Sequence, residues 1–210
     1  MDWISFGGNF RHDEAMTPDS TEDDTRTRII DVVEALLMER GFNAVSYQDI
    51  SDRIGIRKAS VHYHFPTKAD LGVAVIRRYV DRVDAMHVPV EMLEGPMFAV
   101  AIERFLGVFA EIGARSPKVC LGGVLGAEFE TLPEPMQAEV RRFFARLHEW
   151  LGAVLERGRA KGAYAFTGEG TDMARAMVAM LEGALIIARA LRDPAELTAA
   201  IGTARRMVLA

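Results

Sequence analysis

The sequence has a single cysteine, no long uninterrupted apolar run and no secretory signal. Cys120 has no second cysteine for an intrachain disulfide, as is usual in reducing compartments. The most apolar segment, 173–191, is interrupted by Arg175, Glu182 and Arg189, so no run is suited to crossing a bilayer. The first residues are polar and acidic rather than apolar. We therefore expect a cytoplasmic protein that does not enter a membrane.

Motifs of common enzymes are also missing. The sequence has no Gly-x-Ser-x-Gly elbow, no phosphate-binding Gly-x-x-x-x-Gly-Lys loop, and neither a Glu-x-x-His pair nor a His-Glu-x-x-His motif. His62 and His64 are two residues apart, which places them on different faces of a helix and disfavours a metal site. We expect no catalysis, no metal and no cofactor, with a helical enzyme as the less favoured alternative.

Charge is distributed unevenly along the 210 residues. The net charge is −5, but residues 1–24 hold seven acidic residues and one arginine, which leaves +1 for the rest of the chain. A local basic surface therefore remains possible. Because residues 1–24 also lack an apolar period, we expect them to form a disordered acidic arm. Half of the residues are hydrophobic, enough for a substantial core.

Residues 46–65 are typical of two short helices joined by a tight turn at Gly55. Ser46 and Asp49 have the spacing of a capping box, which marks the start of the first of these helices. The second helix carries no acidic residue, a bias that suits contact with phosphate. Its cationic and polar side chains are Arg57, Lys58, Ser60, His62, Tyr63 and His64.

Apolar spacing and helix-stop signals predict an all-α chain of about nine helices. A first helix is expected over about 26–40, ending at Gly41, and a long helix follows a second capping signature at Thr67 and runs to about Met86. Five further helices are expected, at about 98–113, from Ser116-Pro117 through 125, at 133–162, at 171–192 and at 195–208. We divide the chain into the arm (1–24), a helix-turn-helix domain with a linking helix (25–86), and a larger helical ligand-binding and dimerisation domain (87–210).

Four short stretches follow one another in order within residues 25–79: Gly41-Phe42, Asp49-Ile50-Ser51-Asp52-Arg53-Ile54-Gly55-Ile56, Tyr63-His64-Phe65 and Thr67-Lys68-Ala69-Asp70-Leu71. Their combination resembles the DNA-binding domain of TetR-family transcriptional regulators, and the remainder resembles that family in helix order. The resemblance implies a dimeric regulator, most often a repressor, that binds double-stranded operator DNA and responds to a small molecule. The chain departs from the family at Val61 and His62, where leucine and an aromatic hydroxyl are common, so base preference there does not carry over.

The resemblance implies a set of DNA contacts around the second motif helix. Tyr63 and His64 at its end would reach phosphates, while Lys58 and Ser60 at its start can bond base edges. Lys68, and Ser46 with Tyr47, would offer phosphate sites at two helix starts. The alternatives are a packing role for Tyr63 and a solvated cationic turn at 57–60. The candidate residues are Ser46, Tyr47, Arg57, Lys58, Ala59, Ser60, His62, Tyr63, His64 and Lys68.

Aromatic residues of the second domain are candidates to line an effector cavity, although plain core packing and a DNA-binding protein without an effector are alternatives. Cys120, in a predicted first helical turn, could be an electrophile-sensitive thiolate or a small buried hydrophobe. We expect a small apolar or aromatic effector, or an electrophilic one. The candidates are Phe98, Phe105, Phe109, Cys120, Phe129, Phe143 and Trp150.

The last two helices, 171–192 and 195–208, are the expected homodimer interface. The first of them mixes small residues with bulky ones, which allows close approach across a two-fold axis. Such a dimer would place its recognition helices roughly 34–36 Å apart on a near-palindromic operator. Whether binding represses or activates is left open. The residues concerned are Ala176, Ala179, Gly183 and Ala184, with Met180, Ile187 and Leu191.

Overall fold

The computed structural model describes residues 18–115 and 118–209, with side chains from residue 23 onward. These ranges form nine α-helices, two short 3-10 helices and no β-strand, which confirms the predicted all-α fold. The α-helices are α1 (Pro18–Arg40), α2 (Tyr47–Ile54), α3 (Lys58–His64), α4 (Lys68–Met86), α5 (Met97–Ala114), α6 (Leu121–Ala127), α7 (Glu134–Ala160), α8 (Gly170–Leu191) and α9 (Ala195–Val208). The 3-10 helices span Val90–Met92 and Phe129–Thr131.

Helix α1 begins earlier than the sequence indicated. It begins at Pro18, so residues 18–24, expected in a disordered arm, are helical. Proline is favoured at a first helical position because its missing N–H would be unpaired there, and the acidic residues that follow suit a helix N-terminus. The rest of the expected arm, and the break at Ser116-Pro117, lie outside the described residues.

Local capping interactions fix the helix-turn-helix as the sequence predicted. Ser46 and Asp49 form a capping box at the start of α2, and Thr67 and Asp70 form another at the start of α4. Gly55 takes up the left-handed conformation, with φ of 78°, that allows α2 to end and the chain to turn into α3. Helices α2 and α3 are thereby held at a fixed angle.

A small apolar core holds the first four helices together. It contains Ile29 and Leu36 from α1, Ile50 from α2, Val61 from α3 and Val75 from α4, all nearly inaccessible to solvent. Burying each such side chain contributes about 1.5–3 kcal/mol, before the entropic cost of ordering the chain. The recognition helix α3 is too short to be stable alone, so Val61 is what anchors it.

The larger domain after α4, called the body below, is built from α5 to α9. Helix α8 packs between α7 and α9, and α5 packs against α9 and α8. Helix α4 packs both on α1 and on α7, so it belongs to the core of each domain. No helix among the described residues is both long enough and apolar enough to cross a membrane.

Candidate DNA-binding surface and effector cavity

Helix α3 presents one buried side and one exposed side. Val61 is completely buried, while Tyr63 is 70% exposed. Lys58, Ala59 and His62 are exposed as well. Arg57, also exposed, precedes the helix in extended conformation, and Ser60 and His64 are half-buried. A large exposed aromatic flanked by cations and polar groups is the kind of surface that contacts a nucleic-acid backbone.

Tyr47 lies on the inner side of this unit, where its side chain packs within the fold; the predicted DNA contact at Tyr47 stays a prediction. Its hydroxyl donates to the carbonyl of Phe65 at 2.8 Å, and its ring packs edge-on against His62. Burial, followed by the negative charge of Asp70, raises the pKa of Tyr47. Tyr47 therefore braces α2 against the end of α3. The hydroxyl of Ser46 is held by Asp49 in the capping box.

Lys68 is half-buried, and its ammonium contacts the loop after α1. Its ammonium donates to the carbonyl of Phe42 at 2.5 Å and lies 4.1 Å from the centre of the Phe42 ring. Burial lowers the pKa of Lys68, and the negative charges of Glu128 and Asp49 oppose that change. The ammonium thus ties α4 to the loop after α1. The predicted contact of Lys68 with a phosphate, and a phosphate site on the backbone at the start of α4, both stay predictions.

A cavity of about 670 Å³ lies between α4, α5, α7 and α8. This is within the usual range for small-molecule sites. Of the seven candidate lining residues, the cavity wall contains Phe105, Phe109, Cys120, Phe143 and Trp150.

Two candidate lining residues do not reach the cavity. Phe98 is buried on another side of α5, where its ring packs edge-on against Tyr164. Phe129 lies in the second 3-10 helix, with the guanidinium of Arg141 5.4 Å from its ring centre. Helical spacing gives the apolar face of α5, but it does not say which part of that face meets a void.

The aromatic wall is fixed by its own contacts. The indole of Trp150 stacks on the imidazole of His87, with ring centres 3.9 Å apart, and its N–H donates to the carbonyl of Val88 at 3.1 Å. Burial lowers the pKa of His87; Asp84 opposes this and Arg146 adds to it. A neutral, stacked pair of rings therefore forms one side of a largely apolar chamber.

The opposite side of the cavity holds Tyr79, Cys120 and Glu182. The hydroxyl of Tyr79 lies 3.5 Å from the sulfur of Cys120. Burial raises the pKa of the Cys120 thiol well above its ordinary value, and the negative charge of Glu182 raises it further. Of the two alternatives for Cys120, these surroundings favour the small buried hydrophobe over the electrophile-sensitive thiolate. Cys120 does precede α6, but its burial and its acidic neighbour outweigh any effect of the helix dipole.

Glu182 is the lining residue that sequence reasoning missed. It lies on α8, is only 8% exposed, and neither carboxyl oxygen has a hydrogen-bond partner among the described residues. Burial raises the pKa of Glu182 to about 7, and the neighbouring Cys120 opposes that change. The carboxylate packs over Gly123 of α6, where a Cβ atom would overlap an oxygen. The sequence signal that could have indicated Glu182 is its position as an acidic residue in the middle of α8, the most apolar predicted helix.

The body contacts the DNA-binding domain through Glu128, a second residue that sequence reasoning left without a role. Its carboxylate accepts from the backbone N–H of Phe42 at 2.6 Å and of Asn43 at 3.4 Å. The Asn43 amide donates to the Thr131 hydroxyl at 2.7 Å. The loop between α1 and α2 is therefore held directly by the end of α6.

Solved structures of other proteins share this arrangement. A TetR-family transcriptional regulator from Agrobacterium tumefaciens is 31% identical, covers 90% of this chain and all of its own, and superposes with a TM-score of 0.81. The chain belongs to the TetR family. This TetR-family chain also matches a sequence profile described as "Bacterial regulatory proteins, tetR family" over residues 29–75 and one described as "Tetracyclin repressor-like, C-terminal domain" over residues 101–204.

Two further relatives agree. A TetR regulator from Legionella pneumophila is 29% identical over 93% of this TetR-family chain and all of its own, with a TM-score of 0.76. The HTH-type transcriptional repressor NemR of Escherichia coli strain K12 is 27% identical over 82% of this chain and 88% of its own. This TetR-family protein is therefore a DNA-binding transcriptional regulator with a helix-turn-helix at its N-terminal side.

The last two helices of the TetR-family chain carry exposed apolar residues. On α8, Ile187 is 49% exposed and Leu191 is 62% exposed, and the small residues Ala176 and Ala179 are exposed on the same helix. Ala184, expected on this face, is instead buried in the core. The remaining surface is suited to a two-fold helical contact.

Proposed function

We propose that this regulator is a repressor that binds a near-palindromic operator as a homodimer and is released by a small apolar or aromatic effector. The observation that carries the proposal is the cavity of about 670 Å³, which has aromatic walls and uses α4 as one side. The same helix follows directly after the recognition helix α3. An occupant that presses on α4 therefore acts on the position of the DNA-binding surface.

Contacts between the two domains give a route for this coupling. The loop after α1 is held from the body by Glu128, and α4 is held by Arg77, whose guanidinium is 2.7 Å from the buried carboxylate of Glu139 on α7. Both contacts bridge the DNA-binding domain to helices near the cavity. A shift of α4 or α6 on effector binding would change the angle of α3 in each protomer.

The dimer is proposed through α8 and α9. The exposed apolar residues Ile186, Ile187 and Leu191 on α8 would be buried against the same helix of a second copy. Two recognition helices related by a two-fold axis would then contact half-sites roughly 34–36 Å apart, about one turn of DNA. A chromosomal operator places the protein in the cytoplasm.

Of the two effector types, the structure favours the apolar or aromatic one. An electrophile would need an accessible cysteine with thiolate character. Cys120 is almost fully buried, and its surroundings raise the pKa of its thiol. The aromatic rings that line the rest of the chamber instead provide a stacking surface.

Selection of random double-stranded DNA by the purified protein tests this function in two steps. The first step should recover a near-palindrome whose half-sites are about one helical turn apart. In the second step, a panel of small aromatic compounds is screened by thermal shift, and stabilising compounds are tested for release of the selected DNA. Two results would contradict the proposal. The selection could recover no specific sequence, or the stabilising compounds could leave the affinity for the selected DNA unchanged.

A further inference from the structure

The acidic end of the cavity holds a carboxyl group that no cation among the described residues pairs with. Glu182 is more than nine-tenths buried, and neither carboxyl oxygen has a partner within normal hydrogen-bond distance among the described residues; the one donor that acts on its pKa is the weakly donating Cys120 thiol. The other charged residues of the cavity wall, Arg104 and Glu111, are exposed. The buried groups next to Glu182, the Tyr79 hydroxyl and the Cys120 thiol, are uncharged and lie against each other.

Such a carboxylate is costly to bury. A buried carboxyl group without a partner destabilises a fold, and proteins normally pair it with a cation or with several donors. The carboxylate also takes up space that the chain leaves for it, because Gly123 of α6 has no side chain to meet it. Glu182 is therefore an acidic side chain packed into the wall of a chamber whose other charged residues, Arg104 and Glu111, are exposed.

We propose that Glu182 is the acidic subsite of the effector cavity and that it binds a protonated nitrogen carried on an aromatic or apolar body. The proposal rests on the effector-binding function given above and names the chemical class of that effector. The two carboxylate oxygens, which no cation among the described residues pairs with, match a primary ammonium or an amidinium, which donates more than one N–H. The protonated nitrogen of such a ligand would also give the Glu182 carboxylate the cationic partner that the described residues do not provide.

The aromatic wall supports the same ligand class. Phe105, Phe109, Phe143 and Trp150 line the chamber that Glu182 closes on one side. Aromatic faces attract cations as well as aromatic rings, with a gain of about 0.5–2 kcal/mol for each well-placed cation. An aromatic amine would use both features, whereas an anionic compound would meet the charge of Glu182, and the arginine of the cavity wall, Arg104, is exposed.

The test compares three matched probes on the full-length protein by isothermal titration calorimetry. The probes are 1-naphthylmethylamine, the neutral 1-naphthylmethanol, and 1-acetonaphthone, which accepts but cannot donate. Wild-type protein should bind the amine at least about tenfold more tightly than the alcohol. Glu182→Gln should remove this preference while still binding the alcohol, and Glu111→Gln at the exposed rim should keep it.

Each outcome decides the proposal. Equal affinity for amine and alcohol in the wild type, or a preference for the amine that survives in Glu182→Gln, overturns the acidic subsite. Tightest binding of 1-acetonaphthone also overturns it, because Glu182 would then act as a protonated donor. If Glu182→Gln does not fold, Glu182→Met, similar in length and uncharged, replaces it.

Failure of the subsite is separable from failure of the proposed function. If the alcohol binds as tightly as the amine and releases operator DNA, the proposed regulator function is supported and the acidic subsite is overturned. If neither probe binds, the subsite is overturned, and the compound screen with operator DNA still decides the function independently.

Discussion

At the scale of single residues, the surroundings rather than the residue type decide what each side chain does. Phe105 and Phe98 lie on the same helix, yet one lines the effector cavity and the other packs against Tyr164. Cys120 follows the same rule, because burial beside Glu182 opposes thiolate formation at a helix start. Residue type and spacing gave candidates, and only the packing of distant helices selected among them.

Glu182 should make the stability of the protein depend on pH. Its pKa is raised from 4.5 to about 7 in the folded state. The folded state therefore holds this proton more tightly, so stability is lost as pH rises from about 4.5 through 7. In urea unfolding at a series of pH values, the free energy of unfolding of wild type should fall by about 3 kcal/mol relative to Glu182→Gln between pH 4 and 8. A difference that stays constant over this range would contradict the assignment.

Lys58 and Tyr63 should affect DNA binding in different ways. Lys58 lies at the start of α3, where base edges are within reach, so Lys58→Ala should cost about 1–3 kcal/mol mainly on the operator. Tyr63→Phe removes a hydroxyl suited to phosphate and should weaken operator and unrelated DNA about equally. Fluorescence anisotropy with both DNAs measures the two effects. Equal losses on both DNAs for Lys58→Ala would argue against base contact.

At the scale of helices, the boundaries set by local signals were predicted and the others were not. Gly41 sets the C-terminal end of α1, and Gly55 sets that of α2. Two capping boxes set the N-terminal starts of α2 and α4, and all of these signals act within a few residues. The start of α1 at Pro18 was missed because an acidic segment without an apolar period is typical of disorder. Contacts between helices, such as that of Glu128 with the loop after α1, have no signal in local spacing.

Glu128 should carry part of the coupling between the cavity and DNA. Glu128→Gln keeps the size of the side chain but removes the charge that strengthens its bonds to the backbone of Phe42 and Asn43. Effector binding should then weaken operator affinity by a smaller factor than in wild type, measured by anisotropy with and without a cavity ligand. Glu130→Gln, at an exposed neighbouring position, is the matched control and should behave like wild type. An unchanged coupling factor in Glu128→Gln would show that the signal takes another path.

At the scale of the whole molecule, the fold links two sites through one shared helix. The all-α architecture and the helix-turn-helix were predictable, since both depend on periodicity and caps. The cavity was predictable only as a possibility, because its shape depends on how α4, α5, α7 and α8 cross. The proposed dimer, in turn, depends on which apolar residues α8 leaves exposed.

Assembly should depend on the exposed face of α8. Ile187→Arg places a charge where a second copy is expected to pack, so the protein should become monomeric and lose most of its operator affinity. Met92→Arg, at an exposed apolar position on the first 3-10 helix, is the control and should stay dimeric. Sedimentation velocity at micromolar concentration separates the two states. A dimeric Ile187→Arg variant would place the interface elsewhere.

The most direct test of the account fills the cavity from Gly107. This residue lines the cavity on α5, and a Cβ atom added there meets nothing within 4 Å, so the Gly107→Trp side chain starts from open space. The measurement is release of operator DNA by a cavity ligand, followed by anisotropy in wild type, Gly107→Ala and Gly107→Trp. We predict release from wild type and Gly107→Ala and none from Gly107→Trp. Release from all three at the same ligand concentration would contradict control through this cavity.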